Sequence, residues 1–494
     1  MNTRLIKETR DLLPVFAGML PLIVVPQLIW PLAGFGYLAL GVACVVMAGS
    51  SFGNEFQHRT LSLLLSQPIA RSVIWREKMI VLGAGMLASL LVLMLCLQVR
   101  WPGFDREGCW MLALIPMCAF CGAPFWTLSL RHGIAGMVFA VVAPGGILAV
   151  IALISLRLGG ALTDELWAAS LVLLVIYCAL VYWRGYATFK RLEAVDGPAR
   201  ELSLPAGLEA FFVRPLTRAS SGFRGPFATL LKKEFRLQQI SFLVAGLFVL
   251  FAVAGACLIQ RHHDLAEAII VGDCFICVLI VPLIAGATAV AEEKGWGIAE
   301  WHLTLPPSAL NQWSAKMLAA LSTSLALGLL LPTALFLAAN ALLDKHGMRS
   351  GFAPVPELLG FMLGSLLLTC VAVYAASFSN TTLRAILVAF ALIAASLGAA
   401  TLVGHGMYKT FRIFGLGPTP SGEAAPLALC AGFIPLLCLT QWFAWSNFRR
   451  SRGPARRLVI QFLAILLAVG LITAAVVVAP YLDRILDPRL IYSH

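Results

Sequence analysis

Few residues in this chain have the type and spacing to do chemistry. Asp273 is the one acidic residue inside a long apolar block, a turn or two from that block's outer end. Carboxylates within a membrane are costly and mark ion or substrate pathways, so Asp273 is a candidate pathway residue; a simple hydrated site near the exit is the alternative. Cys118/Cys121 and Cys274/Cys277 have C-x-x-C spacing. Metal and redox chemistry need accessible thiolates. These thiols lie in apolar blocks, where a small polarizable side chain packs well. His262, His263 and Asp264 are adjacent in sequence. Adjacent histidines do not share a helix face, so the cluster reads as a loop rather than a metal site. No G-x-x-x-x-G-K-[ST] occurs anywhere. The chain therefore builds no phosphate-cradling loop, and no enzymatic activity of its own is expected.

Two further segments match each other without gaps, Glu55 to Met79 and Glu293 to Met317. Glu55/Glu293, Leu65/Leu303, Pro68/Pro306, Trp75/Trp313, Lys78/Lys316 and Met79/Met317 are identical pairs. In the first copy Leu61, Leu63, Leu64 and Leu65 supply the apolar side of a short helix. Pro68 ends it, because proline lacks the N–H that the helix needs. Ile69, Val73 and Ile74 then open a second helix that runs on at Lys78. This is a helix–turn–helix lying along the membrane surface. It is either an interfacial linker or a docking knob for a cytosolic partner. Arg71 beside the turn can donate several hydrogen bonds in a fixed fork.

The elements that must hold these residues follow from composition. Apolar residues make up 60% of the 494 positions and charged residues 12%. Soluble chains carry roughly 25% charged residues. Mean hydropathy is +0.89. The longest polar segment, 184–239, is too short for a large soluble enzyme domain. A soluble enzyme, a nucleic-acid-binding protein and a disordered tail protein are all excluded. The apolar residues come in blocks of about 20, the length of a membrane-spanning helix. Thirteen such blocks can be read: 13–30, 32–50, 79–98, 109–128, 133–156, 166–183, 240–259, 268–288, 317–341, 358–377, 385–403, 425–445 and 458–480. They lack the alternation of β-barrel strands, so an all-α polytopic bundle is expected. The first residues mix charged and apolar types without a cleavage site, so the first block is expected to remain as a span.

The net charge of +12 fits the same picture. With the N-terminus inside, 26 of the 36 Lys and Arg fall in cytoplasmic segments, including Arg449, Arg450, Arg452, Arg456 and Arg457 before the last block. Lys and Arg collect on that side. The last span then starts inside and the tail 481–494 is external. The stretch from Gly404 to Ala424, rich in Gly and Pro, is expected as a long outer loop and a candidate outer gate.

More matched pairs flank the two segments. LIKETR at 5–10 is similar to LKKEFR at 231–236, and YATFKR at 186–191 to WSNFRR at 445–450. The expected units are therefore a first six-span half at 1–191, a linker at 192–226, a second half at 227–450, and an extra span with its tail at 451–494. Six spans is an even number, so the halves form a parallel repeat. Around 231–236, Phe227, Leu230, Leu231 and Phe235 fall at helical spacing opposite Lys232, Lys233 and Arg236. A basic amphipathic helix of this kind lies in the headgroup plane.

The pattern Glu55, Thr60, Leu64, Leu65, Ser66, Pro68, Arg71 and Lys78 resembles the signature of type-2 ABC exporter permeases. The second copy keeps Glu293, Pro306 and Lys316, with Ile298 in place of Thr60 and Ala309 in place of Arg71. The resemblance covers roughly residues 1–450. It implies an interfacial elbow helix before each half, here carrying Lys7 and Glu8, and Lys233 and Glu234. It also implies a coupling helix after the second span of each half, which docks into a separate ATPase subunit. Two copies of that subunit would bind ATP and Mg, and this chain would hold no cofactor. Location in the inner (plasma) membrane follows, with a hydrophobic or amphipathic substrate expected. Two other readings remain open. One is an ion-coupled secondary transporter with a six-plus-six repeat. The other is a membrane anchor or sensor that regulates an ATPase.

Overall fold

The computed structural model describes residues 3–28, 35–57, 60–100, 106–131, 133–157, 164–192, 226–258, 263–295, 297, 307–344, 354–413, 424–450 and 455–486. Among these residues the regular structure is helical throughout. The helices are α1 (Thr3–Leu28), α2 (Phe35–Gln57), α3 (Leu61–Leu65), α4 (Arg71–Arg100), α5 (Arg106–Leu130), α6 (Gly133–Arg157) and α7 (Asp164–Arg191). There follow α8 (Pro226–Leu237), α9 (Gln239–Leu258), α10 (His263–Gly295) and α11 (Ala309–Leu325). A π-helical turn, Ala326–Leu330, joins α11 to α12 (Leu331–Asp344). The last four are α13 (Pro354–Phe378), α14 (Thr382–Ile413), α15 (Ala424–Phe448) and α16 (Ala455–Leu486).

The chain is an all-α, multi-pass membrane protein. Among the described residues eight helices are long and apolar enough to cross a membrane, or nine if the bent pair α8–α9 counts as one span. The apolar stretches 133–148 and 362–378 are shorter. All thirteen blocks read from the sequence overlap helices, but fewer than thirteen have the described length and hydropathy of a span.

Helices α2 and α10 are the most enclosed of the long apolar helices, and α16 is the least. α2 packs on α1, α4, α5 and α6, while α10 packs on α9, α11, α13 and α14. α5 also meets α4, α6 and α7, as α13 meets α11, α14 and α15. The two sets touch through α1 against α14 and α6 against α9. α16 lies against both α14 and α15. Small residues permit the closest crossings, as is usual where lipid supplies no hydrophobic drive between helices. A Cβ on Gly286 of α10 would stand 2.5 Å from the Thr369 carbonyl oxygen of α13. One on Gly53 of α2 would stand 3.0 Å from the Gly133 Cα of α6.

Three sequence expectations need correction. The residues expected to form an elbow before the first span belong to one continuous helix, Thr3–Leu28. In the second set the elbow is distinct: α8 and α9 meet at 48°. Proline at the first position of α8 suits a helix start. The corner residue, Gln238, is held by three hydrogen bonds. Its Nε2 donates to the Ala285 carbonyl at 3.0 Å, and its Oε1 accepts from Ser241 and Thr288, each at 3.1 Å. At the equivalent joint Leu12 packs in the core, with no polar side chain to fix a corner. The expected outer loop does not begin at Gly404, because α14 continues to Ile413. An isolated glycine costs a helix only about 1 kcal/mol, and α16 supports this part of α14, with Thr473 Cγ2 3.8 Å from a Cβ built on Gly404. Finally, Leu63 is 67% exposed and does not join the apolar face with buried Leu64.

Candidate functional site: two buried carboxylate–lysine clusters

The matched segments converge on the same chemistry in two places. In the first, Lys78 points inward from the second turn of α4 and is 2% exposed. Its Nζ lies 2.7 Å from Glu8 Oε2 on α1 and 3.3 Å from Glu55 Oε1 near the end of α2. It also donates to the Ser51 carbonyl at 3.2 Å and sits 5.6 Å from the centroid of the Phe52 ring. In the second cluster Lys316 of α11 is equally buried. Its Nζ lies 2.9 Å from Glu234 Oε1 on α8 and 2.8 Å from Glu293 Oε2 on α10, and it donates to the Ala289 carbonyl at 3.2 Å. Lys78 thus ties the start of the first long helix of its set to the end of the second and the start of the third, and Lys316 does the same with the separate helix α8 in place of the first. Buried charges are retained only when paired and hydrogen-bonded, which these are.

The clusters differ in what else holds the second carboxylate. Thr60, immediately before α3, donates its hydroxyl to Glu55 Oε2, and its backbone N–H donates to the Glu55 carbonyl at 3.0 Å. The short helix is therefore tied directly to the ion cluster. At Glu293 the extra donor is Lys233 from α8, at 2.5 Å. Lys7, its counterpart in the first set, is exposed. The first cluster sets two carboxylates on one ammonium group; the second adds Lys233 as a second ammonium group, with Glu292 of α10 a third carboxylate close by.

An aromatic layer accompanies each cluster. Trp75 on α4 packs against Tyr186 and Phe189 near the end of α7, with centroid distances of 6.0 and 5.6 Å. Trp313 on α11 packs against Trp445 and Phe448 near the end of α15, at 5.8 and 5.2 Å. A cation covers each outer ring: Lys190 over Tyr186 at 4.5 Å, and Arg449 over Trp445 at 5.6 Å.

The turn after α3 is exposed at Ser66, Gln67 and Pro68. Arg71, at the first position of α4, donates to the Lys190 carbonyl at the end of α7. That bond braces the turn against α7 and uses part of the guanidinium's donor set. Pro306 and the rest of 298–306 lie outside the described residues. Beyond them α11 begins behind Ser308, whose hydroxyl accepts from the Asn311 N–H at 3.3 Å.

Asp273 is buried in α10, and its Oδ2 has no hydrogen-bond partner among the described residues. Cys274 and Cys277 on the same helix donate to the Pro332 and Leu327 carbonyls at 3.4 and 3.5 Å. These carbonyls belong to the π-helical turn and the start of α12. Cys118 Sγ lies 3.8 Å from Cys178 Sγ. Among the described residues no three His, Cys, Asp or Glu side chains converge where they could hold a metal ion.

The exposed turn at Ser66, Gln67 and Pro68 was legible in the sequence, and the lysine clamp was not. The available signal was the paired Glu8 and Glu234 within LIKETR and LKKEFR, together with the equal spacing of segment Glu and segment Lys, Glu55 to Lys78 and Glu293 to Lys316. Compared with family models, curated proteins and solved structures, the chain gives no match.

Proposed function

We propose that this chain is the membrane-spanning permease of an ATP-binding-cassette exporter, with two parallel six-span halves, 1–191 and 227–450. The linker 192–226 joins them, and 451–494 adds a thirteenth span. The N-terminus and both coupling segments face the cytoplasm. Two copies of a separate ATPase subunit bind ATP and Mg. Their closure pushes on the exposed turn after α3 and on its counterpart before α11, and the bundle switches a central cavity from inward to outward access. The substrate is hydrophobic or amphipathic.

One observation carries this reading. In both matched segments a buried lysine near the start of a long helix grips two other helices, with the same backbone-carbonyl contact at an offset of 238, Ser51 and Ala289, and in the first the helix follows an exposed turn. Such a clamp makes a push on the turn move three helices together. The cross-packing of α1 on α14 and α6 on α9 supports a pseudo-twofold arrangement, because each pair joins the first helix of one half to the fifth of the other. The decisive experiment is reconstitution with the cognate ATPase. The purified chain alone hydrolyses no ATP, and it copurifies as one chain with two ATPase copies. Export from proteoliposomes then requires ATP. ATP turnover by the chain alone, or flux set by a proton or sodium gradient without ATP, refutes the proposal. The buried, unpartnered Asp273 oxygen is the observation that favours the ion-coupled alternative, and gradient-driven flux lost in Asp273→Asn would establish it.

A further inference from the structure

A cavity of about 350 Å³ opens between the end of α15 and the start of α16. Trp442, Phe443 and Ile460 form its apolar wall, and Ser446, Arg456 and Arg457 its polar mouth. Arg457 is held in place by a hydrogen bond from its Nη2 to the Ser446 hydroxyl. Arg456 is exposed. Neither arginine has an ion-pair partner among the described residues, and no Asp or Glu occurs between Ala424 and Tyr481. Two guanidinium groups therefore face one opening without a counter-charge from their own helices.

The depth of the cavity is set by hydropathy. The apolar stretch of α16 runs from Arg456 to Val478, so the arginines stand where hydrocarbon gives way to headgroups. Trp442 is 66% exposed at the same level, where an indole with one apolar and one polar edge is favoured. Beyond Arg456 an exposed apolar stripe continues along α16 through Val459, Ile460, Leu463, Leu467 and Leu471. At 1.5 Å per residue the stripe is about 18 Å long. One leaflet of a bilayer core is about 15 Å thick.

We propose that this cavity binds one anionic phospholipid, with its phosphate on Arg456 and Arg457 and an acyl chain along the α16 stripe. The guanidinium fork suits a phosphate oxygen pair, and Arg457 is already oriented by Ser446. Trp442 and Phe443 cover the glycerol and upper acyl region. Basic pockets between membrane helices select anionic headgroups in this way. The site does not depend on the exporter reading, since it uses only the α15–α16 pair.

The test is native mass spectrometry of the full chain released from detergent, with dioleoyl phosphatidylglycerol or dioleoyl phosphatidylcholine added as probe. Wild type retains one phosphatidylglycerol in preference to phosphatidylcholine. Arg456→Gln with Arg457→Gln lowers that preference by roughly tenfold or more. Arg449→Gln with Arg450→Gln removes the same charge one loop away and leaves the preference intact. Leu463→Asn with Leu467→Asn, which keeps both arginines, weakens retention of the lipid. Equal loss in both arginine pairs would mean net charge alone, and overturns the site. Inorganic phosphate displacing the lipid as well as soluble short-chain phosphatidylglycerol does would mean a headgroup-only site, and overturns the acyl assignment. If the first arginine pair fails to fold, Ser446→Ala is read instead: it frees Arg457 and lowers the preference, and an unchanged preference overturns the role given to Arg457.

Discussion

Replacing Lys316 by methionine keeps the length of the side chain and removes its charge. Around it Glu234, Glu293 and Lys316 have side chains only 4%, 3% and 3% exposed. Glu293 retains Lys233 at 2.5 Å, but Glu234 loses its only ammonium partner at hydrogen-bond distance among the described residues, where one of its oxygens already has no partner. Removing one member of a buried pair costs about 3–5 kcal/mol, mostly for the stranded charge. Lys78→Met is milder. Glu55 keeps the Thr60 hydroxyl, and the Glu8 side chain, 10% exposed, can reach water. A loss of about 1.5–3 kcal/mol, the worth of a charged hydrogen bond, is expected there. The assay is denaturant titration of the purified chain in mixed micelles, followed by circular dichroism. A second substitution, Glu234→Gln in the Lys316→Met background, neutralises the stranded carboxylate and should recover a substantial part of the loss, with a coupling energy of about 0.5–3 kcal/mol. The reasoning fails if Lys316→Met unfolds with wild type, or if Lys78→Met is the more damaging change.

Three other outcomes are expected. Thr60→Val removes the hydroxyl that ties α3 to Glu55; ATP turnover by the assembled complex should persist while flux per ATP falls, and unchanged flux per ATP would separate Thr60 from coupling. Asp273→Leu removes a buried carboxylate whose Oδ2 has no partner among the described residues, and should raise denaturant resistance by about 1–3 kcal/mol; a loss of stability would reveal a partner for the carboxylate. Gly286→Ala places a methyl 2.5 Å from the Thr369 carbonyl oxygen and 2.7 Å from the Ala372 Cβ, so it should destabilise by about 1–3 kcal/mol, whereas Gly246→Ala, with open space at its Cβ, should not.

Much of the helical layout was legible because apolar block length is a strong signal and lipid leaves few alternatives to the helix. Pro68 was legible as the end of a short helix for the same local reason: the break is written into the residue. What was not legible is tertiary. The Lys78–Glu8 pair spans 70 positions and lies between helices whose relative placement no periodicity encodes. Gln238 was invisible as a corner, since its role depends on Ala285 and Thr288 lying opposite. The continuous α1 shows the converse. LIKETR and LKKEFR are alike, yet one stretch runs straight on and the other ends at a bend, because only the latter is followed by a pinned glutamine. Arg71 was read as a group for a partner to meet, whereas part of its donor set reaches the end of α7.

Among the described residues the two main contacts between the helix sets are unequal: α1 meets α14 along a longer interface than α6 meets α9, and α16 braces α14 from behind. A bundle built this way has a spine and a fore-edge. Any parting of the sets should begin along α6 and α9, where Gly145 faces the Phe251 ring, and pivot on α1 and α14. The protein would then open as a book does, with its binding on one side, rather than as two equal jaws.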